Sequence, residues 1–363
     1  MTKYNFGAGP SILPREVFEE AAAAVQNFQD SGLSILEISH RSSEFEAVMG
    51  EAEQLVRELL TVPQDYAVLF LQGGASGQFA EVPLNLLTEG GRAGYVDSGV
   101  WASKAIAEAR RIGQVEVLAS SADRNYCYIP KSFEVPADLD YLHLTSNNTI
   151  YGTELFEFPQ TSVPLVADMS SDIFSRPFDV RQFGLIYAGA QKNLGPAGLA
   201  LVIVRKDLLG QSARKLPSIF DYQKHVGAGS LYHTPPVFAI YVSLLTLRWL
   251  KAKGGLTVME EENKVKARAL YDEIDRNSLF NGTADKEDRS RMNVVFVAQN
   301  PEIEQAFLAF AEERGMHGLG GHRSVGGFRA SIYNAMSIQG VNALVDTMQE
   351  FEETFRNQYP QNQ

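Results

Sequence analysis

The chain has 363 residues, enough for two domains and for cores that need no covalent staples. It holds 32 Lys and Arg against 44 Asp and Glu, a net charge of −12, which disfavours nucleic acid and anionic membrane surfaces as partners. Its one cysteine, Cys127, excludes an intrachain disulfide and suits a reducing compartment.

Met1 to Pro14 reads as loop, with no basic region leading into an apolar core. The densest apolar run, Val237 to Leu247, is too short to span a membrane and reads as a buried helix. A soluble, cytoplasmic protein is expected.

In chain order, Arg15 to Gln29 reads as a helix stopped at Asp30-Ser31-Gly32. Ser43 to Leu60 has apolar residues at helical spacing and is closed by Pro63. Tyr66 to Leu71 is a buried strand, followed by Gly73-Gly74-Ala75-Ser76-Gly77 and a helical pattern from about Gln78. Further strands are expected at Gly94–Asp97, Val115–Ala119, Tyr141–Thr145, Val163–Asp168, Leu185–Ala188 and Leu199–Val204. These are short apolar runs without alternation, the pattern of strands covered on both faces. The fold class is therefore α/β, a mostly parallel sheet between helices. Past Lys251-Ala252-Lys253-Gly254-Gly255 the pattern changes. Helices are expected at 258–276, 302–314 and 339–355, with strands at 293–297 and 329–333, a smaller α+β domain. The expected division is an arm at 1–14 packing on the small domain, a large domain at 15–255 and a small one at 256–363.

Four features carry chemistry. Lys192 follows an apolar strand within Ala188-Gly189-Ala190-Gln191-Lys192-Asn193. Small neighbours let a planar group approach, and low polarity favours the nucleophilic neutral amine. Most lysines between strands are simply solvated, so this segment alone does not decide. Asp168 ends another apolar strand, where a buried carboxylate can keep a pyridine nitrogen protonated; capping a helix is its plainer use. The turn at Gly73-Gly74 offers backbone N–H groups to a phosphate, but matches neither the P-loop nor the dinucleotide fingerprint. Trp101 can stack on a cofactor ring. Finally, His40-Arg41 and the loop Gly321 to Arg329 supply cations suited to a small, multiply anionic substrate, though each arginine alone could be a surface ion pair.

Taken in order, Ser39-His40-Arg41, Gln72-Gly73-Gly74, Ala167-Asp168-Met169-Ser170-Ser171, Ala188 to Asn193, Gly321-His322-Arg323 and Tyr333-Asn334-Ala335 resemble the phosphoserine aminotransferase family, of the aspartate aminotransferase fold type. The likeness covers nearly the whole chain. It implies pyridoxal 5′-phosphate as cofactor, Lys192 as its Schiff-base lysine, Asp168 on the pyridinium nitrogen and Trp101 stacked on the ring. Thr149 would meet the phenolic oxygen, while Ala75, Ser76 and Gln191 would hold the cofactor phosphate. No metal is implied. In this family a partner subunit completes the site, which implies a homodimer. Here its contributions would be His233 and Thr234 to the cofactor phosphate, and His40 and Arg41 to the substrate. Arg329 would bind the α-carboxylate, and His322 with Arg323 the substrate phosphate or the glutamate γ-carboxylate.

The implied reaction exchanges an amino group between glutamate and 3-phosphohydroxypyruvate. The family also acts on a phosphorylated hydroxythreonine precursor of the cofactor. His233, Asn148 and Ala8 depart from the family pattern; His233 can still donate to the phosphate, so retuned cofactor affinity rather than lost activity is expected there. A desulfurase of the same fold would need a reactive cysteine, for which only Cys127 is available. A non-catalytic binding protein would not need Lys192.

Overall fold

The computed structural model describes residues 2–323 and 325–358. Each expected run becomes an element, with local exceptions. In chain order these are β1 (Tyr4–Asn5), α1 (Arg15–Gln26), α2 (Ser43–Leu60), β2 (Tyr66–Gln72), α3 (Gly74–Leu86), β3 (Arg92–Asp97), α4 (Val100–Ala109), β4 (Gln114–Ser120) and β5 (Tyr141–Thr145). Then follow β6 (Asn147–Asn148), β7 (Thr153–Glu154), β8 (Leu165–Asp168), β9 (Leu185–Gly189), β10 (Leu199–Arg205), α5 (Tyr222–Gly227), α6 (Val237–Ala252) and α7 (Gly255–Arg276). The last are β11 (Phe280–Gly282), β12 (Asn293–Ala298), α8 (Pro301–Glu313), β13 (Met316–His317), β14 (Phe328–Ser331) and α9 (Ile338–Gln358).

Seven strands form one sheet in the order β2-β10-β9-β8-β5-β3-β4. Every pairing is parallel except those of β10, which runs antiparallel to β2 and β9. Strands β5, β8 and β9 are buried along their whole length, because apolar layers cover both faces. One layer holds α1, α2 and α6; the other includes α3, α4 and α5. A second core surrounds the antiparallel sheet β11-β12-β14, with α7, α8 and α9 against it. The class is α/β, with the large, mostly parallel sheet and the smaller α+β part expected.

Two boundaries differ in ways that shape the site. Helix α3 starts at Gly74, four residues before the expected start, because Gly73 and Gly74 adopt φ of 94° and 59°. Such angles are strained for residues with a Cβ, so the glycine run itself becomes the helix entry. Helix α1 ends at Gln26, and a short 3₁₀ turn, Phe28–Asp30, takes the rest of the expected span.

The first residues lie along the second core. β1 pairs in parallel with β13, and Phe6 is fully buried in that core. The segment then crosses to the large sheet, where Ser11 N donates to Gln191 O at 3.0 Å and Ser11 Oγ to Lys192 O at 2.5 Å.

Candidate active site

The Lys192 loop begins where β9 ends at Gly189. Leu194 N and Gly195 N both donate back to Ala190 O, at 3.2 and 2.7 Å, closing a tight turn. A Cβ at position 189 would press on Gln191 Oε1 at 2.8 Å and Ala75 Cβ at 3.3 Å, and one at 195 would overlap Ser243 of α6. Small residues are therefore a packing requirement, and they bury Lys192 to 8% exposure. Its Nζ donates to Thr149 Oγ1 at 2.6 Å. Burial pushes the amine pKa down to about 8, opposed by Asp168 and reinforced by the Arg329 charge.

Asp168 stands at the end of β8, paired in register with Tyr187 of β9. It does not cap a regular helix. Its Oδ1 accepts from Ser170 N at 2.9 Å and Ser170 Oγ at 2.6 Å. Ser170 Oγ in turn accepts from Gly189 N at 3.0 Å, which ties the carboxylate to the lysine strand. Burial raises the carboxyl pKa, while Ser170, Lys192 and Tyr187 pull it down. Behind it, the Tyr187 hydroxyl and His143 Nε2 lie 2.9 Å apart. Burial lowers the His143 pKa to about 3, so that ring is neutral.

Asp168 and Lys192 line a cavity of about 190 Å³ together with Ala75, Ser76, Trp101 and Gln191. Ala75 and Ser76 lie in the first turn of α3, where backbone N–H groups lack intrahelical acceptors and the dipole favours an anion. The Trp101 ring centroid is 5.7 Å from Lys192 Nζ. Trp101 Nε1 and Gln191 Oε1 are buried with no hydrogen-bond partner among the described residues, so both remain available to a ligand. Anion-accepting helix end, aromatic wall, buried carboxylate and poised amine together fit a planar, phosphorylated aldehyde such as pyridoxal phosphate.

Arg329 of β14 reaches this place from the second core. Its Nη1 donates to Thr149 O at 3.5 Å, and its Nε is buried with no described partner. His322 is held below its ordinary pKa by burial and then by Arg329, Arg323 and Lys104, so these cations share one neighbourhood. Ser324 of the same loop lies outside the described residues.

His40, Arg41, His233 and Thr234 do not line the cavity of their own chain. They gather elsewhere: the His233 pKa is depressed by burial and by nearby His225 and His40. Gln72 Nε2 donates to Thr234 O at 2.7 Å, just before the glycine turn. Close to them in sequence, Leu36 is 62% exposed and Tyr232 44%.

Several contributors escaped sequence reasoning. Ser170 had a local signal, since a serine two residues after an aspartate often closes such a turn. Tyr333 had none: its hydroxyl donates to Ala8 O at 2.8 Å and accepts from Asn293 Nδ2 at 3.0 Å, tying the first segment to the second core. Asn147 bridges Ser171 and Asn293, each at 2.8 Å. Cys127 is half-buried beside Asp285 and away from the cavity, which removes the residue a desulfurase would need.

Comparisons with known proteins agree with this arrangement. The aminotransferase class-V family model matches residues 3–344. Phosphoserine aminotransferase of Flavobacterium johnsoniae is 59% identical over 97% of this chain and 99% of its own length. That of Bacteroides thetaiotaomicron is 57% identical, with the same coverage. The solved phosphoserine aminotransferase of Bacillus circulans subsp. alkalophilus superposes with a TM-score of 0.95 at 49% identity, covering 98% of this chain and 99% of that one. The pyridoxal-phosphate-bound enzyme of Trichomonas vaginalis gives 0.92 at 38% identity, covering 96% and 100%. The chain belongs to the class-V aminotransferases and, within them, to the phosphoserine aminotransferase family.

Proposed function

We propose that this transaminase exchanges an amino group between L-glutamate and 3-phosphohydroxypyruvate, giving O-phospho-L-serine and 2-oxoglutarate, with pyridoxal 5′-phosphate as cofactor. The observation that carries the reading is the buried Lys192 amine. It is set beside Asp168 and Trp101 at a helix N-terminus, with arginines approaching from the second core.

When bound, the cofactor acts as an electron sink for the substrate's Cα. The chain's own residues do the rest. Lys192, as a neutral amine, would hold the cofactor through its aldehyde carbon and would move the proton between substrate Cα and cofactor C4′. Asp168 keeps the ring nitrogen protonated, and Thr149 orients the lysine. Ala75, Ser76 and Gln191 hold the phosphate, and Trp101 supports the ring face. Arg329 takes the α-carboxylate that every amino donor shares. His322 and Arg323 take the group that distinguishes donors.

We further propose a cytoplasmic homodimer, in which His233 and Thr234 complete the partner's phosphate site and His40 and Arg41 its substrate site. None of these four residues lines the cavity of its own chain, and Thr234 is tied to Gln72 beside the glycine turn, which supports this. The functional division is 15–255 for the cofactor, 256–363 for closure over the substrate, and 1–14 as an arm between them; residues 359–363 lie outside the described structure. The test is a donor and acceptor screen followed by the cofactor's absorbance and by product identification. Glutamate and 3-phosphohydroxypyruvate should be the best pair, and indifference to the acceptor's phosphate would overturn the reading.

A further inference from the structure

Helix α4 carries a cation that the roles above leave unused. Lys104 stands one turn after Trp101, and its Nζ lies 4.6 Å from the Trp101 ring centroid. That ring forms one wall of the cofactor cavity. Some exposed basic side chains of this acidic chain find carboxylates, as Arg111 does with Glu108 and Lys131 with Asp288, while others, such as Arg110 and Lys215, have none among the described residues. Lys104, Arg323 and Arg329 have no carboxylate of a described residue within ion-pairing distance. All three charges nonetheless act on His322, and Lys104 lies against the Trp101 wall of the same cavity. Uncompensated like charges repel, and an anion entering between them converts that repulsion into attraction.

We propose that Lys104 is a substrate-specificity residue, whose ammonium joins Arg323 in holding the substrate's distal anionic group, opposite the α-carboxylate bound by Arg329. The inference rests on the functional reading above and deepens it. A distal anion held this way bridges α4, on the large sheet, and the loop before β14, on the small one. A phosphate and a γ-carboxylate share the chemistry, and the phosphate, with more charge and more acceptor oxygens, gains more from the third cation.

The test compares wild type, Lys104→Gln and Lys104→Arg as full-length, cofactor-loaded enzymes. Binding of O-phosphoserine and of L-serine, the same molecule without the phosphate, is followed by the cofactor's absorbance. Loss of one charge-assisted contact should raise the phosphoserine Kd about tenfold in Lys104→Gln and the serine Kd less than about twofold. Lys104→Arg should restore most of the difference. The glutamate Kd should rise by an intermediate factor, and added salt should weaken phosphoserine binding less in Lys104→Gln than in wild type. Equal losses for phosphoserine and serine, or no loss for either, would overturn the assignment. If wild type itself fails to prefer phosphoserine over serine, the substrate reading is at fault. Glutamate against alanine then decides Lys104: a selective glutamate loss sustains it, and parallel behaviour ends it.

Discussion

A lysine whose pKa has fallen to about 8 can serve as nucleophile near neutral pH, whereas an ordinary lysine is almost wholly protonated there. The neutral fraction grows as pH rises through the folded-state pKa. Capture of pyridoxal phosphate by the cofactor-free full-length chain should therefore accelerate with pH and level off above about 8, as seen in stopped-flow absorbance. Lys192→Ala should abolish transamination while the fold persists by circular dichroism, and reductive trapping in wild type should label Lys192 and no other lysine. Asp168 has the opposite problem. Burial raises its pKa although its task is to stay ionised, and the Ser170 hydrogen bond opposes that rise most strongly. Ser170→Ala removes the 2.6 Å hydroxyl bond and keeps the backbone one, so the acid limb of the activity profile should move to higher pH. Asp168→Asn should lose turnover far more than thermal stability, since the amide cannot hold a proton on the ring nitrogen. Near-normal turnover would rule out that role.

At the scale of elements, the lysine turn and α6 depend on each other. Gly195 lies three residues after Lys192, and the space a side chain would need is filled by Ser243. Gly195→Ala should cost roughly 1–3 kcal/mol by overpacking, read as a lower denaturant midpoint, and should disturb the cofactor's absorbance because the turn carries Lys192. Long apolar runs such as β2, β9 and β10 were legible in the sequence because burial on both faces leaves a local signature. The direction of β10 was not, since a strand buried on both faces has the same composition whichever way it runs. Two-residue strands such as β1 and β13 are too short for any periodicity. The site divided in the same way. Lys192, Asp168 and the glycine turn were visible at the ends of strands. Lys104 and Asn293 were not, and Tyr333 only as part of a family motif, because their roles come from contacts between distant parts of the chain.

For the whole molecule, the absence of His40, Arg41, His233 and Thr234 from the lining of their own cavity makes the proposed dimer testable by complementation. Lys192→Ala and Arg41→Ala chains, each inactive alone, should regain activity when mixed under conditions that exchange subunits. In a mixed two-fold dimer one site bears both lesions and the other neither. Random exchange should then restore about a quarter of all sites. No recovery despite demonstrated exchange would place Arg41 in its own subunit's site.

The segment through Ala8 and Ser11 also sets an order of events. Its bonds join residues 181 apart, Ser11 to Lys192, and 325 apart, Ala8 to Tyr333. A contact across such a span cannot form before its later residue has been synthesised. During synthesis, the large sheet and its lysine turn can assemble while Tyr333 is still within the ribosome, but the arm cannot yet be clasped against both cores. A nascent chain therefore passes through a stage that owns its nucleophile without a finished pocket around it, and competence arrives only as the second core closes.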